Sequence, residues 1–257
     1  MKATLTVLGS GTSMGVPSIG CDCPVCLSTD PRDKRTRPSV LIEYGGKSAL
    51  IDTTPDFRQQ AIRENIKHLD AVFYTHAHAD HILGIDDLRP LSYHHIPGRL
   101  PLYARPDVAA FIRNMFRYIF AGEYKFGGLP QLELKPLEGP LDLFGARFEP
   151  VTVIHGETEI YGYRFGSAAY LTDHSLVPDA SFKQLENLDV LFLDALRHKP
   201  HPTHSTVENS LKIVERVKPR RAFFTHICHD LGHEATNATL PENVRLSYDG
   251  MKREFEI

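Results

Sequence analysis

The chain lacks any apolar run near the roughly 20 residues that a membrane-spanning helix needs, so a helical span is not expected. Its first residues, Met1 to Leu8, alternate apolar and polar side chains and have no signal-peptide core. They read as a half-buried strand of a soluble, cytoplasmic protein. A basic surplus is missing as well: 29 Lys and Arg stand against 32 Asp and Glu, a formal net charge of −3. Nucleic-acid binders carry a basic face, so nucleic acid is not an expected partner. Arg32, Lys34, Arg35 and Arg37 do crowd one segment, which reads as a solvated, charged loop. Cysteine is scarce, with 4 in 257 residues. A reducing cytosol disfavours disulfides, so those four need another explanation. Internal repeats and long linkers are also absent, and one domain over residues 1–257 is expected.

What is present is an interleaving of short apolar runs with helical periodicity. Val40–Tyr44, Ser48–Ile51, Ala71–Tyr74, Phe148–Ile154, Ile160–Phe165, Ala169–Thr172, Val190–Asp194 and Ala222–Thr225 read as strands. Pro55–Asn65, Pro106–Phe120, Pro178–Leu188 and Ser205–Val217 read as helices, with Thr203 or Ser205 able to cap the last. Pro97–Pro101 and Gly127–Pro130 read as loops. Such alternation predicts a layered α/β architecture. Residues able to bind metal recur where these strands end: His76, His155, Asp173, Asp194 and His226. Loops that converge on one edge of a rigid scaffold are how such scaffolds build sites.

His76, His78, Asp80 and His81 fall within six residues, directly after a strand. Imidazole nitrogen and carboxylate oxygen suit Zn²⁺, Mn²⁺ or Fe. Four such groups on so short a segment cannot all reach one ion. Two ions solve this, with His76 and His78 facing one and Asp80 and His81 the other.

The run His-x-His-x-Asp-His after a strand resembles the signature of the metallo-β-lactamase superfamily. That resemblance implies an αββα sandwich with two central mixed sheets flanked by helices, and a site for two divalent ions, Zn or Mn. It also implies that His155 joins His76 and His78, that Asp173 bridges, and that His226 completes the second site. Asp52, after Leu50-Ile51, matches an aspartate that braces the site without ligating metal.

Cys21-x-Cys23-x-x-Cys26 lies in a Gly/Pro-rich loop, at a spacing that fits a structural zinc lacking a fourth ligand. Cys228 and His229 are the candidates for it. The cysteines, the Thr-His-x-x-His pattern at Thr225–His229, and the start Leu8-Gly9-Ser10-Gly11-Thr12 resemble one branch of the superfamily. This is the PhnP-like branch, the phosphoribosyl 1,2-cyclic phosphate phosphodiesterases. The resemblance implies Cys21, Cys23, Cys26 and His229 as structural zinc ligands, with Cys228 a spectator. It also makes Leu246–Met251 resemble a closing strand.

His204, in Pro202-Thr203-His204-Ser205-Thr206, resembles the histidine that protonates the leaving group in this branch and in ribonuclease Z. Asp80 and His204 are therefore the catalytic candidates, and Arg89 and Arg197 are candidate phosphate contacts. Two ions would lower the pKa of a bridging water and clamp a phosphodiester oxygen. The expected substrate is a small, even cyclic, sugar or nucleotide phosphodiester. A thioesterase of the glyoxalase II kind would use the same metal ligands, and so would a protein that only binds a nucleotide or phosphate. A transfer-RNA nuclease would want a basic, Gly-rich arm that is not evident. A homodimer is the default association for such a chain.

Overall fold

The computed structural model describes residues 1–122 and 128–257; Gly127, expected in a loop, lies outside the described residues. Among the described residues the strands are β1 (Lys2–Gly9), β2 (Ser39–Tyr44), β3 (Lys47–Ile51), β4 (Ala71–Phe73), β5 (Leu100–Ala104), β6 (Leu132–Pro136), β7 (Leu141–Leu143), β8 (Ala146–His155), β9 (Thr158–Phe165), β10 (Ala168–Leu171), β11 (Val190–Asp194), β12 (Arg221–Thr225), β13 (Val244–Leu246) and β14 (Lys252–Glu256). They form two seven-stranded sheets, ordered β14-β1-β2-β3-β4-β5-β6 and β13-β12-β11-β10-β9-β8-β7. Each sheet is mixed: β3 to β6 and β10 to β13 run parallel, and the remaining pairs are antiparallel.

The inner parallel strands β3, β4, β10, β11 and β12 are buried almost throughout, which is why they read as unbroken apolar runs. Val190 to Asp194 shows this, with all five residues buried. Between the sheets, Phe73 of β4 stacks on Phe148 of β8 at 4.7 Å between ring centroids, and Tyr163 meets Phe73 edge-on at 5.3 Å. Two outer clusters complete the layers. Leu50, Val72 and Tyr74 pack with Phe57, Val108 and Ile112 on one side, and Leu171, Leu191 and Phe224 with Leu185, Val207 and Val214 on the other. The architecture is the expected αββα sandwich.

Several elements differ from the sequence reading. The periodic stretch from Pro106 breaks at Phe116 (φ −106°, ψ 43°), leaving helices Pro106–Met115 and Arg117–Phe120. Pro178–Leu188 is a 3₁₀ run, Asp179–Leu185. The helix Val207–Val217 is capped by Thr206, whose hydroxyl accepts from the Asn209 N–H, and not by Ser205 or Thr203. Strands β5, β6, β7, β13 and β14 were not legible, because they are short, Pro-containing or charged. Strand β14, Lys-Arg-Glu-Phe-Glu, buries only Phe255 and lies at a sheet edge, where charge guards against further pairing. Leu246–Met251 is mostly the connection into that strand and not a strand itself. Leu100 and Pro101, expected in a loop, begin β5.

Close backbone approach fixes one position near the metal-competent segment. A Cβ on Gly84 would lie 2.0 Å from the Thr54 carbonyl oxygen, and the Gly84 N–H already donates to the Thr53 carbonyl. Gly84→Ala should therefore cost about 1–3 kcal/mol. At this chain length that lowers the melting temperature by about 2–4 °C per kcal/mol, readable by calorimetry.

Candidate active site

His76, His155, Asp173, Asp194 and His226 all lie at or just beyond the carboxyl ends of β4, β8, β10, β11 and β12, and Asp52 follows β3. Three of these leave their strands in the left-handed backbone region: Asp52 (φ 64°), Asp173 (φ 54°) and His226 (φ 58°). Non-glycine residues there cost of order 1–3 kcal/mol, and such strain concentrates at functional sites.

The ligand atoms of His76, His78 and His155 all lie within 4.8 Å of one another, and so do those of Asp80, His81, Asp173 and His226. The Asp173 Oδ2 atom links the two groups. It stands 3.2 Å from His226 Nε2, 3.3 Å from His81 Nε2 and 3.7 Å from His76 Nε2. Asp80 Oδ2 is 3.2 Å from His81 Nε2.

These groups are primed for cations. Burial opposes charge on Asp173, yet His226 and His81 hold its carboxyl well below the usual range. Burial, reinforced by His81, pushes His76 well down and so favours the neutral imidazole that ligates metal. Burial also resists charge on His226, but Asp173 and Asp80 outweigh it and push its pKa up to about 10. A metal ion would replace the proton held there. His76 Nε2, His81 Nε2, His226 Nε2 and Asp80 Oδ2 are buried without a hydrogen-bond partner. Buried polar atoms are nearly always satisfied, so this donor set fits a pair of divalent ions.

A second layer fixes the rings. His81 Nδ1 donates to Asp52 Oδ2 at 2.7 Å, and the Thr75 hydroxyl donates to the same oxygen at 2.8 Å. His155 Nδ1 donates to the Thr203 carbonyl at 2.8 Å, which leaves Nε2 as the nitrogen able to ligate a metal. His204 Nδ1 donates to Asp194 Oδ2 at 2.8 Å. Its ring stacks on His226 with centroids 4.6 Å apart and meets His155 at 4.9 Å. The partnership of Asp194 with His204 was not read from the sequence, although Asp194 ends a strand among the metal-competent residues. Their separation by 10 positions along the chain hides it.

A cavity of about 830 Å³ opens onto His76, His78 and His155. Neither Arg89 nor Arg197 lines it. Arg89 Nη2 pairs with Asp86 at 2.7 Å, and Arg197 donates to the Lys199 and Pro200 carbonyls. Guanidinium groups committed to local partners have fewer donors left for phosphate.

The cysteine loop reaches the same edge. His229 Nδ1 lies 3.1, 3.6 and 3.4 Å from the sulfurs of Cys21, Cys23 and Cys26. Tetrahedral zinc with ordinary bond lengths sets such edges at about 3.5 Å. The Cys26 N–H foremost, against partial desolvation, lowers the Cys23 thiol to about 7, toward the thiolate that ligates zinc. Cys228 stands apart, its sulfur accepting from the Asp230 N–H. The basic segment beside this loop corrects the sequence reading. Arg35 is 2% exposed, pairs with Asp33 at 2.8 Å, and donates to the Cys228 and Leu231 carbonyls. Arg37 pairs with Asp56, and Lys34 donates to the Cys26 carbonyl. The segment is a clasp and not a free, solvated loop.

A family model, the beta-lactamase superfamily domain, matches residues 48–227, a span that holds every residue of both metal-competent groups. The chain belongs to the beta-lactamase superfamily. Cys21, Cys23, Cys26 and His229 lie outside the matched span. A solved structure described as a new diphosphatase from the PhnP family is 60% identical, with a TM-score of 0.94 over 99% of this chain and 98% of that one. An octanoyltransferase of Porphyromonas gingivalis is 39% identical over 96% of this chain and 50% of its own length. A ribonuclease Z of Bradyrhizobium diazoefficiens is 30% identical over 58% of this chain and 49% of its own length. The chain thus spans about half the length of these curated relatives. Among the described residues no helix is long and apolar enough to cross a membrane.

Proposed function

We propose that this superfamily member is a dinuclear-metal phosphodiesterase acting on a small phosphodiester. The observation that carries the reading is the pairing of the two ligand groups with the Asp194–His204 dyad at one strand edge. His76, His78 and His155 would hold one ion, Asp80, His81 and His226 the other, and Asp173 would be shared. When bound, such ions supply Lewis acidity toward a phosphoryl oxygen and a nucleophilic water at neutral pH. Asp194 fixes the proton of His204 on Nδ1 and orients the ring, so that Nε2 faces the reaction as the proton carrier for the leaving alkoxide. Asp52 and Thr75 lock the His81 ring. Cys21, Cys23, Cys26 and His229 would hold a third ion, a structural zinc that ties the loop at residues 21–26 to the segment carrying His226. The likeness to a diphosphatase and to ribonuclease Z supports phosphoryl chemistry. The octanoyltransferase name belongs to a protein of about twice this length.

The test is hydrolysis of bis(p-nitrophenyl) phosphate by protein stripped with a chelator and reloaded with Mn²⁺ or Zn²⁺. Turnover should be absent without metal and saturate at two ions beyond the one held by the cysteines. Absence of turnover at full occupancy overturns the reading. Rapid cleavage of S-lactoylglutathione or an octanoyl thioester in its place would move the assignment to thioesters.

A further inference from the structure

The segment that carries His204 follows β11 and runs Arg197-His198-Lys199-Pro200-His201-Pro202-Thr203-His204, with two fixed cations, three imidazoles and no carboxylate. A backbone bridge between Arg197 and Thr206 closes it at its base. Pro202 and Thr203 line the cavity over His76, His78 and His155, and the Thr203 carbonyl accepts from His155 Nδ1. The carboxylates among the cavity's described lining residues, Asp107, Glu157 and Glu159, sit on other segments.

His201 stands beside the proton carrier, its ring centroid 5.0 Å from that of His204. The Thr203 N–H donates to His201 Nδ1 at 3.3 Å, and the Thr203 hydroxyl lies 3.2 Å from the same nitrogen. A backbone N–H can only donate, so Nδ1 is the acceptor and the neutral ring carries its proton on Nε2. Burial, reinforced by the charges of His204 and Arg197, pushes the pKa of His201 down and favours that neutral form. The ring is half-buried, and its Nε2–H has no hydrogen-bond partner among the described residues. Its neighbours differ: His198 pairs with Glu208 at 2.6 Å, and Arg197 donates to two carbonyls.

A donor fixed by its own backbone, next to the group that protonates the leaving oxygen, suits an anionic oxygen on the leaving side. The spacing of the two rings puts that oxygen one or two bonds past the atom that receives the proton of His204. An alcohol with no acceptor there would gain nothing from His201.

Resting on the phosphodiesterase reading, we propose that His201 is a specificity-determining residue whose Nε2–H donates to a phosphate carried by the leaving group. That phosphate is either the leaving group itself, as in a diphosphate, or a substituent on the departing alcohol. In both cases hydroxide adds to phosphorus, and the P–O bond to the leaving group breaks with its electron pair. The proton of His204 Nε2 goes to the departing oxygen, while His201 keeps its own.

Three methyl phosphodiesters test this, with methyl phosphate, ethylene glycol monophosphate and 3,3-dimethylbutanol as leaving groups. Each is compared between wild type and variant, so that intrinsic lability cancels. His201→Ala should lower kcat/KM on the phosphate-bearing substrates by about 10- to 100-fold, the loss expected on removing one hydrogen bond to a charged group. The dimethylbutyl ester should stay within about twofold. The substrate with the larger loss tells a phosphate that departs from one carried on an alcohol. His201→Gln, which keeps an N–H donor, should recover most of the loss, and His198→Ala on the same loop should leave the ratios unchanged. Losses equal on all three esters would assign His201 to holding the loop of His204, and these, or no loss at all, overturn the proposal. Symmetrical dimethyl methylenediphosphonate, whose P–C–P bridge resists cleavage, and methyl butylphosphonate give the same comparison as binding, read by calorimetry on metal-loaded protein. A protein that cleaves no diester, but in His201→Ala loses affinity for the diphosphonate alone, would lose the phosphodiesterase reading and keep the phosphate contact. One that cleaves diesters with losses blind to the leaving group would do the opposite.

Discussion

Replacing His204 by Ala should lower kcat for an alkyl phosphodiester by about 10²–10⁴-fold, the usual contribution of a positioned general acid. The ring is held by Asp194 at 2.8 Å and stacked on His226, so its Nε2 has one direction in which to deliver a proton. The leaving group supplies the discriminating measurement. p-Nitrophenolate departs with little need of protonation, so the loss should be at least about tenfold smaller on an aryl diester than on an alkyl one. Asp194→Asn should act in the same direction but less severely, because the imidazole remains while its tautomer and orientation are freed. Metal content should be unchanged in both variants. Equal losses on aryl and alkyl leaving groups would assign His204 to holding His226 in place and not to proton transfer.

Replacing His229 by Ala, or Cys23 by Ser, should remove one equivalent of zinc and lower stability by about 3 kcal/mol or more, in line with loss of a structural metal. That corresponds to a drop of about 6–12 °C in melting temperature for a chain of this size. Activity should fall too, since His229 follows His226 by three residues and the segment between them is clasped by Arg35. Cys228→Ser serves as the comparison: its sulfur accepts from the Asp230 N–H and stands outside the cluster, so zinc content should hold at wild type. Loss of zinc from Cys228→Ser with retention in His229→Ala would reverse the assignment of the fourth ligand.

The two metal-competent groups have different histories in the sequence. His76 to His81 is legible because four ligands fall within one turn and a strand end. His155, Asp173 and His226 also end apolar runs, but their grouping with His76 to His81 came from the resemblance to the metallo-β-lactamase superfamily. The apolar runs themselves mark strands buried on both faces, since burial demands continuous hydrophobicity there. The strands that escaped notice, β6, β7 and β14 among them, are edge or near-edge strands of few apolar residues, where solvent and not the core dictates composition.

By itself, then, the sequence pointed to the layered α/β class, to a division of the metal-competent residues into two groups, and to a cysteine cluster for which Cys228 and His229 were the candidate partners. These are local facts of spacing and periodicity, and covalent connection keeps neighbouring residues neighbours in any fold. Tertiary structure alone decided that the ring of His229 stands among the cysteine sulfurs, that Asp194 holds His204, that Arg35 is buried, and that a cavity opens onto His76, His78 and His155. Each of these joins segments separated along the chain. Such contacts are set by how two twisted sheets pack and where their loops emerge, and no local pattern records that.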